Sequence, residues 1–234
     1  MQLDVLANKS SGAAENMAAD FLLLQRYPKP EYVRFRHYGW HRPAFTFGYS
    51  QKISFVREQL PRDGPVELCR RPTGGGVVDH RQDWTYALVI PRNHAAYDAR
   101  ALESYRVVHT CIVAALREFG ENAALNDRCD DQNKGPGICF DHAELYDVIR
   151  ADTGRKIGGA AQKRNKHGLL FQGSLARLAL TEALNWDDFH TDLCQRLASA
   201  LNAEAKEAPW PDWENDELSQ LVDHYSGPEW NEFR

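Results

Sequence analysis

Val66-Glu67-Leu68-Cys69-Arg70-Arg71-Pro72-Thr73-Gly74-Gly75-Gly76-Val77-Val78-Asp79-His80-Arg81-Gln82-Asp83-Trp84-Thr85-Tyr86-Ala87-Leu88-Val89-Ile90 decides how the chain is read. Residues 66–70 and 84–90 have the apolar and β-branched content of strands. Residues 72–76 between them cannot be regular structure. Three successive glycines let a backbone approach a ligand closely and take positive φ. Successive free N–H groups there can form an anion-binding nest. Arg70 and Arg71, just ahead, suit a phosphate or a carboxylate. The segment lacks both Gly-Lys-Ser/Thr and the G-x-G-x-x-G spacing, so neither common nucleotide loop applies. Taken alone, a binding loop and a flexible hairpin tip fit it equally well.

Working outward, residues 13–26 carry Ala14, Met17, Ala18, Phe21 and Leu22 at helical spacing, and Pro28 and Pro30 stop the run. Residues 31–38 and 44–49 read as strands, with Tyr32, Phe35 and Tyr38 in the first and Phe45 and Phe47 on one face of the second. Residues 101–119 are the clearest helix. Leu102, Tyr105, Val108, Ile112, Ala115, Leu116 and Phe119 form one stripe, closed by Gly120. Residues 126–137 read as a loop. Residues 144–150 and 155–163 straddle Asp152-Thr153-Gly154 as a hairpin. A further strand fits 168–175, and helices fit 188–202 and 214–225. The sum is a sheet-centred mixed fold, strand-rich in the middle and helical at the end.

The chain has 234 residues, 43% hydrophobic and 26% charged, with no repeat or low-complexity tract. At this length it buries roughly 70% of its unfolded surface, enough for a core without staples. A net charge of -5 and a pI near 6.0 argue against nucleic acid as a partner. No run approaches the roughly 18–20 apolar residues of a membrane span, and Met1-Gln2-Leu3-Asp4 lacks the pattern of a signal peptide. Five cysteines without tight pairing read as reduced thiols, as in a cytoplasmic protein.

Two further segments carry chemistry. Gly154-Arg155-Lys156-Ile157-Gly158-Gly159-Ala160-Ala161-Gln162 sets a strand lysine among small residues, leaving room for a substrate carbonyl against its ammonium. A hairpin lysine is ordinarily solvated. Little side-chain packing is expected to depend on this one. Gly135-Pro136-Gly137-Ile138-Cys139-Phe140-Asp141 places a cysteine after a turn, where a nearby lysine raises thiolate content; a free cysteine otherwise serves as a small hydrophobe. The nine histidines show no metal-ligand spacing, so no metal is expected.

Together these motifs, in this order, resemble the lipoate–protein ligase A and octanoyltransferase superfamily, with which biotin ligases are grouped. Residues 34–40 and 45–51 are similar to its entry segment, residues 70–80 to its acyl-binding loop, and residues 154–162 to the segment of its essential lysine. The run Tyr225-Ser226-Gly227-Pro228-Glu229-Trp230-Asn231 also matches. The resemblance implies an α+β fold: a mixed, largely antiparallel sheet flanked by helices, class II synthetase/biotin ligase-like. It implies one catalytic domain over residues 1–234, with no C-terminal accessory domain. Among the branches, Asp83-Trp84-Thr85-Tyr86-Ala87 and the position of Cys139-Phe140 ahead of the lysine resemble the cysteine-dependent octanoyltransferases.

On that resemblance Cys139 is the nucleophile and Lys156 its electrostatic partner. Trp40, Arg70, Arg71, Thr73, Gly74, Gly75, Gly76, His80, Gly158, Gly159, Gln162, Gln172 and Gly173 are expected along the acyl slot. The expected reaction moves an octanoyl or lipoyl group from an acyl carrier protein thioester to a lysine of the glycine-cleavage H protein or of a 2-oxoacid dehydrogenase lipoyl domain. It needs no cofactor. Lys163, Arg164 and Lys166 offer a docking patch for an acidic partner. Two positions depart from the transferase pattern: Gly76, often arginine there, and Gln172, where the family tends to have histidine. Glutamine keeps a hydrogen bond but cannot exchange a proton near pH 7. The alternatives are an ATP- and Mg-using lipoate ligase, in which Lys156 and Arg71 hold an acyl-adenylate, and a non-catalytic acyl or lipoyl-domain binder.

Overall fold

A computed structural model of the chain describes residues 1–62, 64–128, 142–181 and 183–234. Cys129, Cys139 and most of the expected 126–137 loop lie outside the described residues. Eight strands form the main sheet in the order β11-β1-β2-β6-β10-β9-β8-β7. They are β1 (Gln2–Leu6), β2 (Val33–Tyr38), β6 (Asp83–Pro91), β7 (Ala123–Leu125), β8 (Val148–Arg150), β9 (Lys156–Asn165), β10 (Gly168–Ala176) and β11 (Glu204–Ala208). β1 runs parallel to both its neighbours, and every other pair is antiparallel. A smaller sheet, β4-β3-β5, contains β3 (Ala44–Phe47), β4 (Glu67–Arg70) and β5 (Val77–Asp79).

The strand period sorts the core. Trp84, Tyr86, Leu88 and Ile90 of β6 join a cluster with Ile112 and Leu116 of α3 (Ala101–Glu118) and with Phe189, Leu193 and Leu197 of α4 (Trp186–Ala200). The alternate residues Ala87 and Val89 pack with Leu23 and Leu24 of α1 (Ala13–Gln25) on the other face. A strand buried on both faces reads as a continuous apolar run, as residues 86–90 do. Truncating Leu88 to alanine in such packing costs ~2–5 kcal/mol. The helices expected at 13–26, 101–119, 188–202 and 214–225 are present, the last as α5 (Asn215–Ser226).

Four strands and two short helices have no counterpart in the sequence reading. β1 hides Asp4, whose carboxylate accepts the Tyr27 hydroxyl, so its apolar alternation is broken by a buried acid. β11 is an edge strand of the sequence Glu-Ala-Lys-Glu-Ala, paired only to β1. β5 and β7 have three residues each, too few for a period to show. The short helices are α2 (Ile53–Glu58) and α6 (Pro228–Asn231). One member of the expected α3 stripe is misplaced. Leu102 is 54% exposed, because the helix touches the core only from its second turn onward. In β2, Arg34 and Arg36 are as buried as the aromatics. Arg36 pairs with buried Asp20 of α1 at 2.7 Å, which satisfies a charge that strand alternation would send to solvent.

Candidate active site

The glycine loop is built by the small sheet. Phe47 O accepts the Arg71 N–H at 2.8 Å and Thr73 O accepts the Tyr49 N–H at 2.8 Å, which fixes both ends of the turn. Gly75 has φ 89°, a conformation that needs glycine. The guanidinium of Arg71 closes the loop from inside, donating to Gly74 O at 2.9 Å, Gly76 O at 2.8 Å and Thr46 Oγ1 at 2.7 Å. Between this loop and the α1-facing side of the main sheet lies a cleft with ≈ 430 Å³ of empty space, its open mouth included. Tyr38, Thr85, Gly159, Ala161, Gln172 and Ser174 form its floor. Thr46, Val78 and Gly75 form its roof, and Met17, Trp40, Arg71, His80, Ala160 and Gly173 complete the lining.

His80 is held on three sides. Its Nδ1 lies 2.7 Å from Asp83 Oδ2, its Nε2 lies 2.6 Å from Thr46 Oγ1, and its ring stacks on Trp40 at 4.1 Å. Trp40 Nε1 donates to Thr85 Oγ1 at 3.0 Å. These bonds present the apolar face of Trp40 to the cleft. Gln172 bridges two elements. Its carbonyl accepts the Thr73 hydroxyl at 2.8 Å and its amide donates to Asp20 Oδ2 at 2.7 Å. Both bonds are neutral-donor bonds that glutamine makes without titrating, so the departure from histidine leaves the glycine loop tied to α1.

Lys156 is not among the residues lining the cleft; its ammonium lies against Gly159, which is. A Cβ on Gly159 would stand 3.2 Å from Lys156 Nζ and 2.7 Å from Asp147 Oδ1, so only a bare backbone leaves the ammonium room at the floor. Nζ pairs with Asp147 Oδ2 at 2.6 Å and donates to His142 O at 3.3 Å. Asp147 is in turn bonded by the Tyr105 hydroxyl at 2.5 Å. The expectation that Lys156 has few dependents is corrected: both side chains of the pair are at most 5% exposed.

The structure separates the other expected site residues. Arg71, Gly75, Gly159, Gly173, Gln172, Trp40 and His80 line one cleft. Arg70 does not. It is fully buried, and its guanidinium donates to the carbonyls of Tyr49, Gln51, Trp230 and Asn231, tying the C-terminal segment to β4. Gln162 is spent on α3, donating to Ala101 O at 3.0 Å and accepting from Ser104 Oγ at 3.3 Å. Gly158 packs beneath Leu175, Thr73 turns to Gln172, and Gly74 and Gly76 turn their carbonyls to Arg71.

The expected basic patch also splits. β9 runs on to Asn165, so Lys163 and Arg164 point to opposite faces. Lys163 lies 5.7 Å over the Tyr49 ring, while Arg164 lies 5.1 Å over Tyr97 and donates to Ala99 O. Lys166 borders a separate hollow with Pro30 and Arg92.

Motif reading missed the polar site residues Tyr38, Thr46, Asp83, Thr85 and Ser174 at the cleft, and Asp20, Tyr105 and Asp147 behind it. Asp147 had one signal, an acid opening an apolar strand in Tyr146-Asp147-Val148-Ile149. The three described cysteines sit in apolar packing. Burial pushes the Cys69 thiol up to about 12, Cys111 to about 11 and Cys194 to about 12. None is suited to act as a thiolate. Among the described residues no group of three His, Cys, Asp or Glu side chains is arranged to hold a metal ion, and no helix is long and apolar enough to cross a membrane.

Comparison with known proteins places this geometry. Octanoyltransferase LipM of Anoxybacillus flavithermus is 34% identical over 173 residues, 69% of this chain and 60% of the relative. Octanoyltransferase LipM of an Exiguobacterium species is 30% identical over 229 residues, 93% of this chain and 79% of the relative. The matches to the first curated relatives thus span about 60% of their length. A T. acidophilum lipoate protein ligase with bound lipoic acid superposes with a TM-score of 0.73 at 18% identity, covering 99% of this chain and 98% of that one, a likeness of fold. The model of the lipoyl protein ligase A/B catalytic domain matches residues 12–185. A cleft roofed by the glycine loop and floored by the lysine strand thus lies inside the matched region, and the chain belongs to the lipoyl protein ligase A/B catalytic-domain family.

Proposed function

We propose that this chain is an acyltransferase that moves an octanoyl group from a carrier-protein thioester to a lysine of a lipoyl-type domain or H protein, through an acyl-thioester on Cys139. The observation that carries the reading is the contact between Lys156 Nζ and His142 O. His142 follows Cys139 by three residues, and three extended residues span at most ~11 Å. Cys139 itself lies outside the described residues, and its role as nucleophile rests on the resemblance to the cysteine-dependent octanoyltransferases. The three described cysteines, with thiols raised by burial, offer no rival nucleophile. Similarity to proteins named octanoyltransferases supports the choice of acyl group.

In this mechanism the Cys139 thiolate attacks the thioester carbonyl. The carbon–sulfur bond to the carrier breaks, and the carrier leaves as a thiol after taking a proton. The Lys156 ammonium stabilises the thiolate and then the oxyanion, whose charge develops where solvent is excluded. The acceptor amine then attacks the acyl-enzyme, losing a proton and returning the Cys139 thiol. Thioester-to-amide transfer is downhill, so the reaction proceeds without ATP. The acyl tail lies along Gly75, Trp40 and Gly173, where the cleft presents backbone and ring surface.

The test is the intact mass of wild type and Cys139→Ser after octanoyl-carrier protein, with and without ATP, followed by the mass of lipoyl-domain and H-protein acceptors. An ATP-independent octanoyl adduct, absent from Cys139→Ser, is expected. Acceptor acylation by Cys139→Ser that requires ATP would overturn the transferase reading in favour of a ligase. Binding of the acyl chain without any transfer would make the protein a non-catalytic binder.

A further inference from the structure

The Lys156 ammonium is not placed by its own strand alone. The oxygen it pairs with, Asp147 Oδ2, also accepts the Glu144 N–H at 2.7 Å. The other, Oδ1, accepts the Tyr105 hydroxyl at 2.5 Å, and Tyr105 in turn accepts the N–H of cleft-lining Ala160 at 3.0 Å. Held at both oxygens, the carboxylate cannot swing. The clamp begins one residue earlier. Tyr146 has φ 68°, in the left-handed region that an aromatic residue enters at a cost. Its N–H donates to Asn126 O at 2.7 Å, and its carbonyl accepts from His109 Nδ1 at 2.7 Å. Strain of this kind persists only where the surroundings over-determine it, and it clusters at functional sites.

We infer that Asp147, locked by Tyr105, is the positioning residue that aims the Lys156 ammonium at the reacting carbonyl of the acyl donor. The inference rests on the acyl-transfer reading above. A lysine is a point charge on a four-carbon stem with several rotatable bonds. It stabilises developing charge only if it is already aimed there, since reorientation during the reaction would consume the gain. A buried carboxylate that cannot rotate, held by Tyr105 of α3 and by the turn before β8, supplies that aim. The missing side chain of Gly159 keeps the space beside both the ammonium and Asp147 Oδ1 clear at the cleft floor.

The experiment compares kcat and KM of wild type, Asp147→Asn, Tyr105→Phe, Lys156→Ala and Asp147→Asn/Lys156→Ala, with octanoyl-carrier protein as donor and a lipoyl domain as acceptor. Asp147→Asn is expected to lower kcat ~10–100-fold with KM within ~3-fold, the signature of an interaction made in the transition state. Tyr105→Phe is expected to lower kcat ~3–10-fold. The double variant should be within ~2-fold of Lys156→Ala, because a residue acting through Lys156 has nothing left to position once that lysine is gone. A purely structural Asp147 would instead give losses that multiply. Multiplying losses, or an Asp147→Asn kcat within ~2-fold of wild type, overturns the inference. Should Asp147→Asn fail to fold, Tyr105→Phe with and without Lys156→Ala carries the same comparison. Wild type that transfers nothing removes the acyl-transfer reading itself, and the inference with it; the two failures are therefore distinguishable.

Discussion

Replacing Lys156 by alanine is expected to destabilise the protein as well as slow turnover ~10²–10³-fold. The side chain of Asp147 is 1% exposed and loses the ion-pair partner it has among the described residues. Stranding one member of a buried pair costs ~3–5 kcal/mol. Asp147 retains the Tyr105 hydroxyl and the Glu144 amide, which places the loss near the lower end, at about 3 kcal/mol. In a chain of this size each kcal/mol moves Tm by ~2–4 °C, so a drop of roughly 6–12 °C follows. Thermal melting by circular dichroism of wild type, Lys156→Ala, Asp147→Asn and the double variant measures it. The double variant should recover part of the loss, since removing both charges leaves neither buried alone. A Lys156→Ala protein that melts within ~2 °C of wild type would show that the pair does not hold the fold. A double variant less stable than either single one would refute the burial argument.

Gly75→Val is expected to abolish protection of the Cys139 thiol by octanoate-based ligands: residue 75 has φ 89° and a Cβ there would stand 3.1 Å from the fixed Arg71 Nη2; unchanged protection in a folded variant would detach the loop from the slot. Of five cysteines, Cys69, Cys111 and Cys194 are buried with thiols at about 11 to 12, so native protein at neutral pH should take up at most two iodoacetamide labels by intact mass, and five once unfolded. Burial lowers His109 from 6.5 to about 4, so the unfolded chain binds more protons than the folded one between those values. Its contribution to stability is therefore complete above about 6.5 and is lost as pH falls towards 4. His37, lowered to about 4 mainly by the same desolvation, acts in the same direction. Chemical denaturation of His109→Gln should show a smaller loss of stability across that window than wild type; an equal loss would assign the effect elsewhere.

The segments that the sequence determined are those whose period or conformation is local. Residues 86–90 are apolar throughout because both faces of β6 are covered, and a continuous run is visible without knowing by what. The turn at Asp152-Thr153-Gly154 is legible because Gly154 takes φ 71°, which few other residues adopt. The glycine loop is legible for the same reason at Gly75. Motif order across these segments then points to the family, since each motif is a local signature. By contrast β11, Glu-Ala-Lys-Glu-Ala, exists because β1 offers it an edge, and nothing in its own pattern requires a strand.

Which polar side chains meet was left to the tertiary structure. Arg70 and Arg71 are adjacent and chemically alike, yet strand alternation sends one to the C-terminal segment and the other into the cleft. Lys163 and Arg164 part in the same way. Lys156 looks solvated among glycines and alanines, but β8 brings Asp147 against it across an irregular register, and α3 brings Tyr105. Asp20 and Gln172 lie 152 residues apart and share a hydrogen bond. Such pairings depend on how one element packs on another. The energy that selects them comes from satisfying buried charges and amides once the apolar faces have closed, and no local period in the sequence records it.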